Sequence, residues 1–350
     1  MQEFSIGPFT LGENHRPFVV AEMSGNHNGS LNRAMEIVEA AAAAGVHALK
    51  LQTYTADTMT LDLRKGDFLI YDKDSLWYDR TLYSLYEEAY TPWEWHEPIF
   101  KRCAELGMTA FSSPFDETAV DFLESIDAPA YKIASMENTD WPLLKKVAAT
   151  GKPVIMSTGV STLEMIASSV AVLREAGCEK LILLKCTSSY PAPPDKTNIR
   201  TIAHLQKAFG SLVGISDHTL GIGVSVASVA FGTRFIEKHI TLRRSDGGVD
   251  SAFSLEPEEF KMLVDESERA FLSLGSVQYG VDSSEKTASK HKRSIYVAQD
   301  IAEGEVFTKE NIRVIRPGNG LEPRYYETLL GKKARHALDA GTPLSWDLLL

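Results

Sequence analysis

Short apolar runs rich in strand-forming residues alternate along the chain with longer stretches whose apolar positions recur every three to four residues. The runs cover 17–23 (PFVVAEM), 48–54 (ALKLQTY), 109–115 (TAFSSPF), 130–135 (AYKIAS), 153–159 (PVIMSTG), 181–187 (LILLKCT), 212–219 (LVGISDHT) and 234–241 (RFIEKHIT). Between most of them the helical period is clear. The stretches 31–44, 93–106 and 162–176 each stop before a glycine (Gly45, Gly107 and Gly177), the usual stop signal at a helix C-terminus. Eight strands, each followed by a helix, predict an α/β fold, a TIM (β/α)8 barrel. A doubly wound open sheet is the other arrangement such alternation allows. It usually carries a GxGxxG turn after its first strand, and none stands there.

A different pattern follows the barrel. The run 294–297, a loop over 300–304, the segment 314–320 and a turn at 341–344 predict a small β-rich C-terminal module. The expected division is a barrel over 1–282, a polar linker over 283–293 and the small module over 294–350. A module of that size has little room for a core of its own. Docking or covering is a more natural task for it than separate catalysis.

Every predicted strand turns polar at its C-terminal end: Glu22, Lys50 with Gln52, Ser112 with Ser113, Lys132 with Ser135, Ser157 with Thr158, Lys185 with Thr187, Ser216 with His218, and Glu237 with His239. In this fold those ends meet at one mouth, where such barrels carry their sites. Lys50 and Lys132 end apolar strands, where an unpaired ammonium is costly. They bind an anion together with the hydroxyls of Ser113, Ser135, Ser157 and Ser216, or they form internal salt bridges. Lys238 has the opposite strand parity to His239, so one faces the barrel axis and the other the helices. His218 and His239 end consecutive strands. Two imidazoles with water and substrate oxygens suit Mn2+, Mg2+ or Co2+ as a Lewis acid, and Zn2+ less well, since it prefers three or four protein ligands. The rival for the pair is a hydrogen-bonded core role. Glu22 and Glu137 are carboxylates that bind sugar hydroxyls or move a proton. Asp250 joins the ion, orients substrate or makes a loop turn. His27 is a ligand, a substrate contact or part of a helix-start loop capped by Ser30.

Composition removes several classes. Hydrophobic residues at 44% and charged ones at 24% belong to an ordinary globular chain rather than a disordered one. A net charge of −11 argues against a nucleic-acid partner, which needs a cationic footprint. The charge is uneven: residues 286–350 hold 11 Lys and Arg against 8 Asp and Glu, whereas the preceding part is strongly acidic. Opposite signs favour docking of the two parts, within or between chains. No apolar stretch approaches the roughly 20 residues of a membrane span. The first ten residues lack a basic segment followed by an apolar one, and Cys103, Cys178 and Cys186 form no CxxC. A cytoplasmic protein without membrane association is expected.

Taken in order, Ala21-Glu22-Met23-Ser24-Gly25-Asn26-His27-Asn28-Gly29-Ser30, Lys50-Leu51-Gln52-Thr53-Tyr54, Phe111-Ser112-Ser113-Pro114-Phe115, Tyr131-Lys132-Ile133-Ala134-Ser135, Leu184-Lys185-Cys186-Thr187-Ser188-Ser189-Tyr190-Pro191, Ser216-Asp217-His218-Thr219, Glu237-Lys238-His239 and Arg316-Pro317-Gly318-Asn319-Gly320 closely resemble the sialic acid synthase family, over nearly the whole chain. The C-terminal module resembles that family's SAF (antifreeze-like) domain. The resemblance implies a transferase that condenses phosphoenolpyruvate with an amino-sugar aldehyde. It implies dependence on a divalent metal ion, Mn2+ first and Mg2+ or Co2+ otherwise, and a domain-swapped homodimer. By the same resemblance Lys50, Ser113, Lys132, Ser135, Ser157 and Ser216 hold phosphoenolpyruvate. His218 and His239 hold the ion, Glu22, Tyr190, Asp250 and Arg316 contact the acceptor, and Gln52 and Ser188 are further substrate-binding residues. Lys132, Glu22 and Glu137 form the catalytic set, with Glu137 assisting water or proton transfer.

Within the family the chain is most similar to the pseudaminic acid synthase branch. The motif 22–27, the segment 51–55, the insert around Leu76-Trp77-Tyr78-Asp79-Arg80, Thr91-Pro92-Trp93-Glu94-Trp95-His96, and Ser188 where N-acetylneuraminate synthases carry Asn mark that branch. Its acceptor is 2,4-diacetamido-2,4,6-trideoxy-L-altrose, a 6-deoxy sugar. A more apolar pocket wall is therefore expected, with Trp77 and Tyr78 as its candidates. N-acetylneuraminate or legionaminate synthesis is the alternative within the family, and a non-catalytic carbohydrate-binding barrel the alternative outside it.

Overall fold

In the computed structural model, which describes residues 3–73, 75 and 77–350, all eight apolar runs are strands of one closed barrel. A hairpin of β1 (Phe4–Ile6) and β2 (Phe9–Leu11) comes first. The barrel strands are β3 (Phe18–Glu22), β4 (Ala48–Thr53), β5 (Thr109–Pro114), β6 (Tyr131–Ile133), β7 (Val154–Ser157), β8 (Leu181–Cys186), β9 (Leu212–Ser216) and β10 (Phe235–His239). Each pairs in parallel with its sequence neighbour, and β10 closes on β3. Helices return the chain outside, and short polar side chains start several of them. Ser30 accepts from Arg33 N at the head of Leu31–Ala43, as its position before that helix predicts, and Thr162 accepts from Met165 N ahead of Leu163–Glu175.

Strand alternation sorts the core into two layers. Val19, Ala21, Leu49, Leu51, Ile133, Met156, Leu183, Ile215 and Ile236 point outward to the helices. Their neighbours Phe18, Val20, Ala48, Phe111, Ala130, Ile155, Ile182, Leu184, Leu212 and Phe235 fill the barrel interior. Ile6 and Leu11 of the hairpin join that inner cluster. They meet residues that begin the strands, so the hairpin plugs the end of the barrel opposite the mouth. The plug is not among the eight apolar runs, although FSI-GP-FTL has the alternation and turn residues of a hairpin. Gly214 of β9 is required by space: a methyl group there would overlap Phe235 O and press on Leu184.

The chain divides into two compact units, Met1–Gly275 and Ser276–Leu350. The second holds an exposed helix Lys286–Ser289, then β11 (Ser294–Val297) antiparallel to β12 (Ile312–Ile315). Its small core is built on Ile295, Val297, Ile301, Phe307, Ile312, Leu329, Leu338 and Leu344. Among the described residues no helix is long and apolar enough to cross a membrane.

Candidate active site

Along the inward face of each strand, apolar residues give way to polar ones toward the mouth: Val20 to Glu22, Ala48 to Lys50 and Gln52, Ala130 to Lys132, Ile155 to Ser157, and Phe235 to Glu237 and His239. These side chains floor a cavity of about 330 Å3. Register sets the neighbours. Glu22 stands beside Lys50 on one side and His239 on the other, and Glu237 beside Ser216.

The floor is a network of buried charge. Lys50 Nζ lies against Glu22 Oε2, 3.7 Å from Glu237 Oε1 and 3.1 Å from Ser113 Oγ. Lys132 Nζ is 3.5 Å from the same Glu237 oxygen, to which Ser216 Oγ donates at 3.1 Å. Gln52 donates to Glu22 Oε1 at 3.0 Å. Both lysines therefore carry the internal ion pairs that were one of their two readings, and the same ammoniums line the cavity. Burial opposes charge throughout, yet Lys132 and Lys50 hold the Glu237 carboxyl below its usual range. Burial pushes Glu22 up to about 7, against Lys50 and helped by Glu237. The two carboxyls are thus pushed in opposite directions, Glu237 toward the ionised form and Glu22 toward the neutral one. Burial also pushes Glu137 up to about 7, only partly offset by a backbone N–H and by Lys132. Ser157 Oγ, Glu137 Oε2 and Glu237 Oε2 are buried with no hydrogen-bond partner in the protein. Buried polar atoms are seldom left so. Three of them on one cavity mark a place built for a polar ligand.

The two histidines line the same cavity with ring centroids 5.3 Å apart. His218 Nδ1 donates to Thr187 O at 3.1 Å, and His239 Nδ1 lies 3.3 Å from Ser24 Oγ and 3.7 Å from Asp250 Oδ2. Both Nδ1 atoms are thus turned to the protein, the usual arrangement when Nε2 is to bind an ion. Among the described residues no group of three or more His, Cys, Asp or Glu side chains is placed to hold a metal. The donor set fits an ion whose remaining positions are filled by water and substrate.

Of the residues named from the sequence, Glu22, Lys50, Gln52, Lys132, Ser135, Glu137, Ser157, Tyr190, Ser216, His218, His239 and Asp250 line the cavity. Ser113 reaches it through Lys50. Ser188 does not line the cavity itself; its Oγ lies 3.7 Å from Cys186 Sγ, a Cβ on Gly159 would strike its hydroxyl and that of Ser135, and Gly159 N donates to Ser135 Oγ at 3.1 Å. Arg316 is an exposed residue of the second unit. His27 takes the last of its three readings. It is buried in the shell outside the barrel, with Nδ1 accepting from Gly29 N at 3.1 Å and Nε2 3.3 Å from Thr91 Oγ1, which is the helix-start reading. Lys238 faces the helices, as its parity requires.

The cavity's second wall is apolar. It comes from the long connection after β4, with helices Ala56–Met59 and Leu82–Ala89, and supplies Met59, Ile70, Trp77, Leu82 and Leu85. Trp77 lies 6.1 Å from Tyr190 ring to ring and donates to Val249 O at 3.3 Å. Tyr78 is half exposed and does not line the cavity, and Leu76 lies outside the described residues. Tyr54, Cys186 and Glu237 line the cavity without having been named as site residues. All three share strand parity with residues that were, so counting in twos from Gln52, Ser188 and His239 finds them.

Residues 37–279 match the NeuB family and residues 292–350 the SAF domain. The chain is 42% identical to a pseudaminic acid synthase of Campylobacter jejuni over 97% of this chain and 98% of that one. It is 40% identical to a pseudaminic acid synthase of Helicobacter pylori over 95% and 97%. Among solved structures, an N-acetylneuraminic acid synthetase of Leptospira borgpetersenii in complex with citrate superposes with a TM-score of 0.73 at 30% identity, covering 82% of this chain and 95% of that one.

Proposed function

The chain belongs to the NeuB family, and we propose on that footing that it is the enzyme that makes pseudaminic acid. It condenses phosphoenolpyruvate with 2,4-diacetamido-2,4,6-trideoxy-L-altrose and water and releases phosphate. The observation that carries the reading is the single cavity in which two lysines, two histidines and three partnerless buried oxygens meet beneath an apolar wall.

C3 of phosphoenolpyruvate attacks the open-chain aldehyde, and positive charge develops at C2. Water adds there, and the tetrahedral intermediate expels phosphate by C–O cleavage. Lys50 and Lys132 hold the donor's anionic groups, with Ser113, Ser135, Ser157 and Ser216 as neutral donors. Ser188, whose Oγ lies 3.7 Å from Sγ of the cavity residue Cys186, is a further polar substrate contact. Glu137, poised near neutrality, takes the proton of the attacking water. Glu22, Gln52, Tyr190 and Asp250 meet the acceptor's polar groups, while Met59, Ile70, Leu82 and Leu85 pack on its C6 methyl and acetamido methyl groups. His218 and His239 hold a divalent ion, Mn2+ first, which supplies Lewis acidity toward the acceptor aldehyde when bound.

The protein works in the cytoplasm as a domain-swapped homodimer. The second unit of one protomer covers the barrel mouth of the other and brings Arg316 to the acceptor. Exposed apolar residues on the loops after β6, β7 and β9 (Met136, Val160 and Leu220) and at the start of the helix after β7 (Leu163) support a covered mouth.

Phosphate release from phosphoenolpyruvate with a panel of amino sugars, with and without chelator, tests the reading. Release with the bis-acetamido altrose that chelator abolishes is expected. Release with N-acetylmannosamine alone points to N-acetylneuraminate synthesis and overturns the acceptor. No release with any of the sugars favours a binding protein.

A further inference from the structure

The two imidazoles are held in different ways. His239 sits inside a ladder: it pairs with Glu22 of β3, and its carbonyl accepts from Leu255 N at 2.9 Å. His218 lies beyond the paired part of β9. The β9–β10 register ends at Glu237↔Ser216, and one last bond joins Asp217 N to Glu237 O at 2.9 Å. Past that point a side chain takes over from the sheet.

Lys238 immediately precedes His239 and points to the outer face of β10. Its ammonium donates to Asp217 O at 3.3 Å and to Thr219 O, the carbonyls on either side of His218. It also lies 3.1 Å from Asp217 Oδ2. Three acceptors match the three donors of an ammonium. Asp217 ties the same turn from within: Oδ1 accepts from Thr219 N at 2.9 Å and Oδ2 from Ser225 Oγ at 2.6 Å. The carbonyl of His218 itself accepts from Ala192 N at 2.9 Å. Every backbone carbonyl from 217 to 219 is therefore fixed, two of them by one lysine. The Lys238 and Asp217 side chains are 0% and 1% exposed. Such a pair adds little stability over apolar residues of the same shape, so its value lies in position.

We infer that the buried Lys238–Asp217 pair is a positioning clamp that holds the His218 turn at a set distance from His239, and so sets the affinity of the two-imidazole site for its divalent ion. The inference rests on the metal reading above and adds the residues that tune it. Neither side chain lines the cavity, so they act through the histidines and not on substrate.

The test is Mn2+ binding by electron paramagnetic resonance, with phosphoenolpyruvate binding measured by calorimetry without metal as the control. The double variant Lys238→Met/Asp217→Asn removes both charges together and leaves no buried charge alone. It is expected to bind Mn2+ ten- to a hundredfold more weakly, the usual effect of losing partners behind metal ligands, with donor affinity unchanged. Lys238→Gln keeps an amide donor and is expected to fall between the double variant and the native protein. If the double variant does not fold, Mn2+ binding by Lys238→Gln weaker than by the native protein, with donor affinity unchanged, decides the matter alone. Native Mn2+ affinity in either folded variant overturns the clamp. So does an equal loss of Mn2+ and donor affinity, which is general loosening. If the native protein binds Mn2+ no better than His218→Ala, the metal reading fails and takes the clamp with it.

Discussion

Glu137 shows what burial does to one carboxyl. Its Oε2 has no partner, and burial lifts it from an ordinary value near 4.5 to about 7. Below the lower value the carboxyl is neutral in both folded and unfolded chains, so it costs the fold nothing. Between 4.5 and about 7 the unfolded chain ionises first, and native stability falls as pH rises. Glu137→Gln is therefore expected to raise stability at pH 8 by about 3 kcal/mol, while leaving it unchanged at pH 4. Denaturant melts at the two pH values check this. As the base for water, Glu137 must be ionised, so kcat/KM is expected to rise with pH through about 7, and the Gln variant to lose that limb together with most of its rate. A Gln variant as active as the native enzyme removes the role.

At the level of elements, the barrel depends on a plug that contributes nothing to the site. Leu11 is buried among the residues that begin the strands. Leu11→Ala is expected to cost about 2–5 kcal/mol and lower the thermal midpoint, with KM for phosphoenolpyruvate unmoved. A large change in KM at native stability would contradict the separation of plug and mouth. The sequence made much of this level legible. Strand parity alone put Lys238 and His239 on opposite faces, and the run of polar strand ends located the mouth. Two things were not legible. The pairing of Lys50 and Lys132 with Glu22 and Glu237 depends on the stagger between strands, which no single strand carries. The apolar wall comes from a connection after β4 with short helices and little periodicity, so only Trp77 stood out and Leu82 and Leu85 did not. Tyr78 misled for the same reason: neighbours in an irregular loop do not share a face.

At the scale of the whole molecule, an acidic barrel and a basic module fold as separate units. Arg316 belongs to the second and is exposed there. Arg316→Ala is expected to raise KM for the acceptor about tenfold or more, as loss of a charge-assisted contact does. Donor affinity and barrel stability should stay as they were. A chain ending at residue 285 that remains fully active would refute the covering role. The central claim is that one mouth gathers the enol phosphate and the ion. A crystal structure with Mn2+ and phosphoenolpyruvate tests it most directly. The account predicts the ion on His218 and His239, with the donor's anionic groups on Lys50, Lys132 and the serines that ring them. Density for either one at any other place on the barrel, with this cavity holding only water, contradicts it.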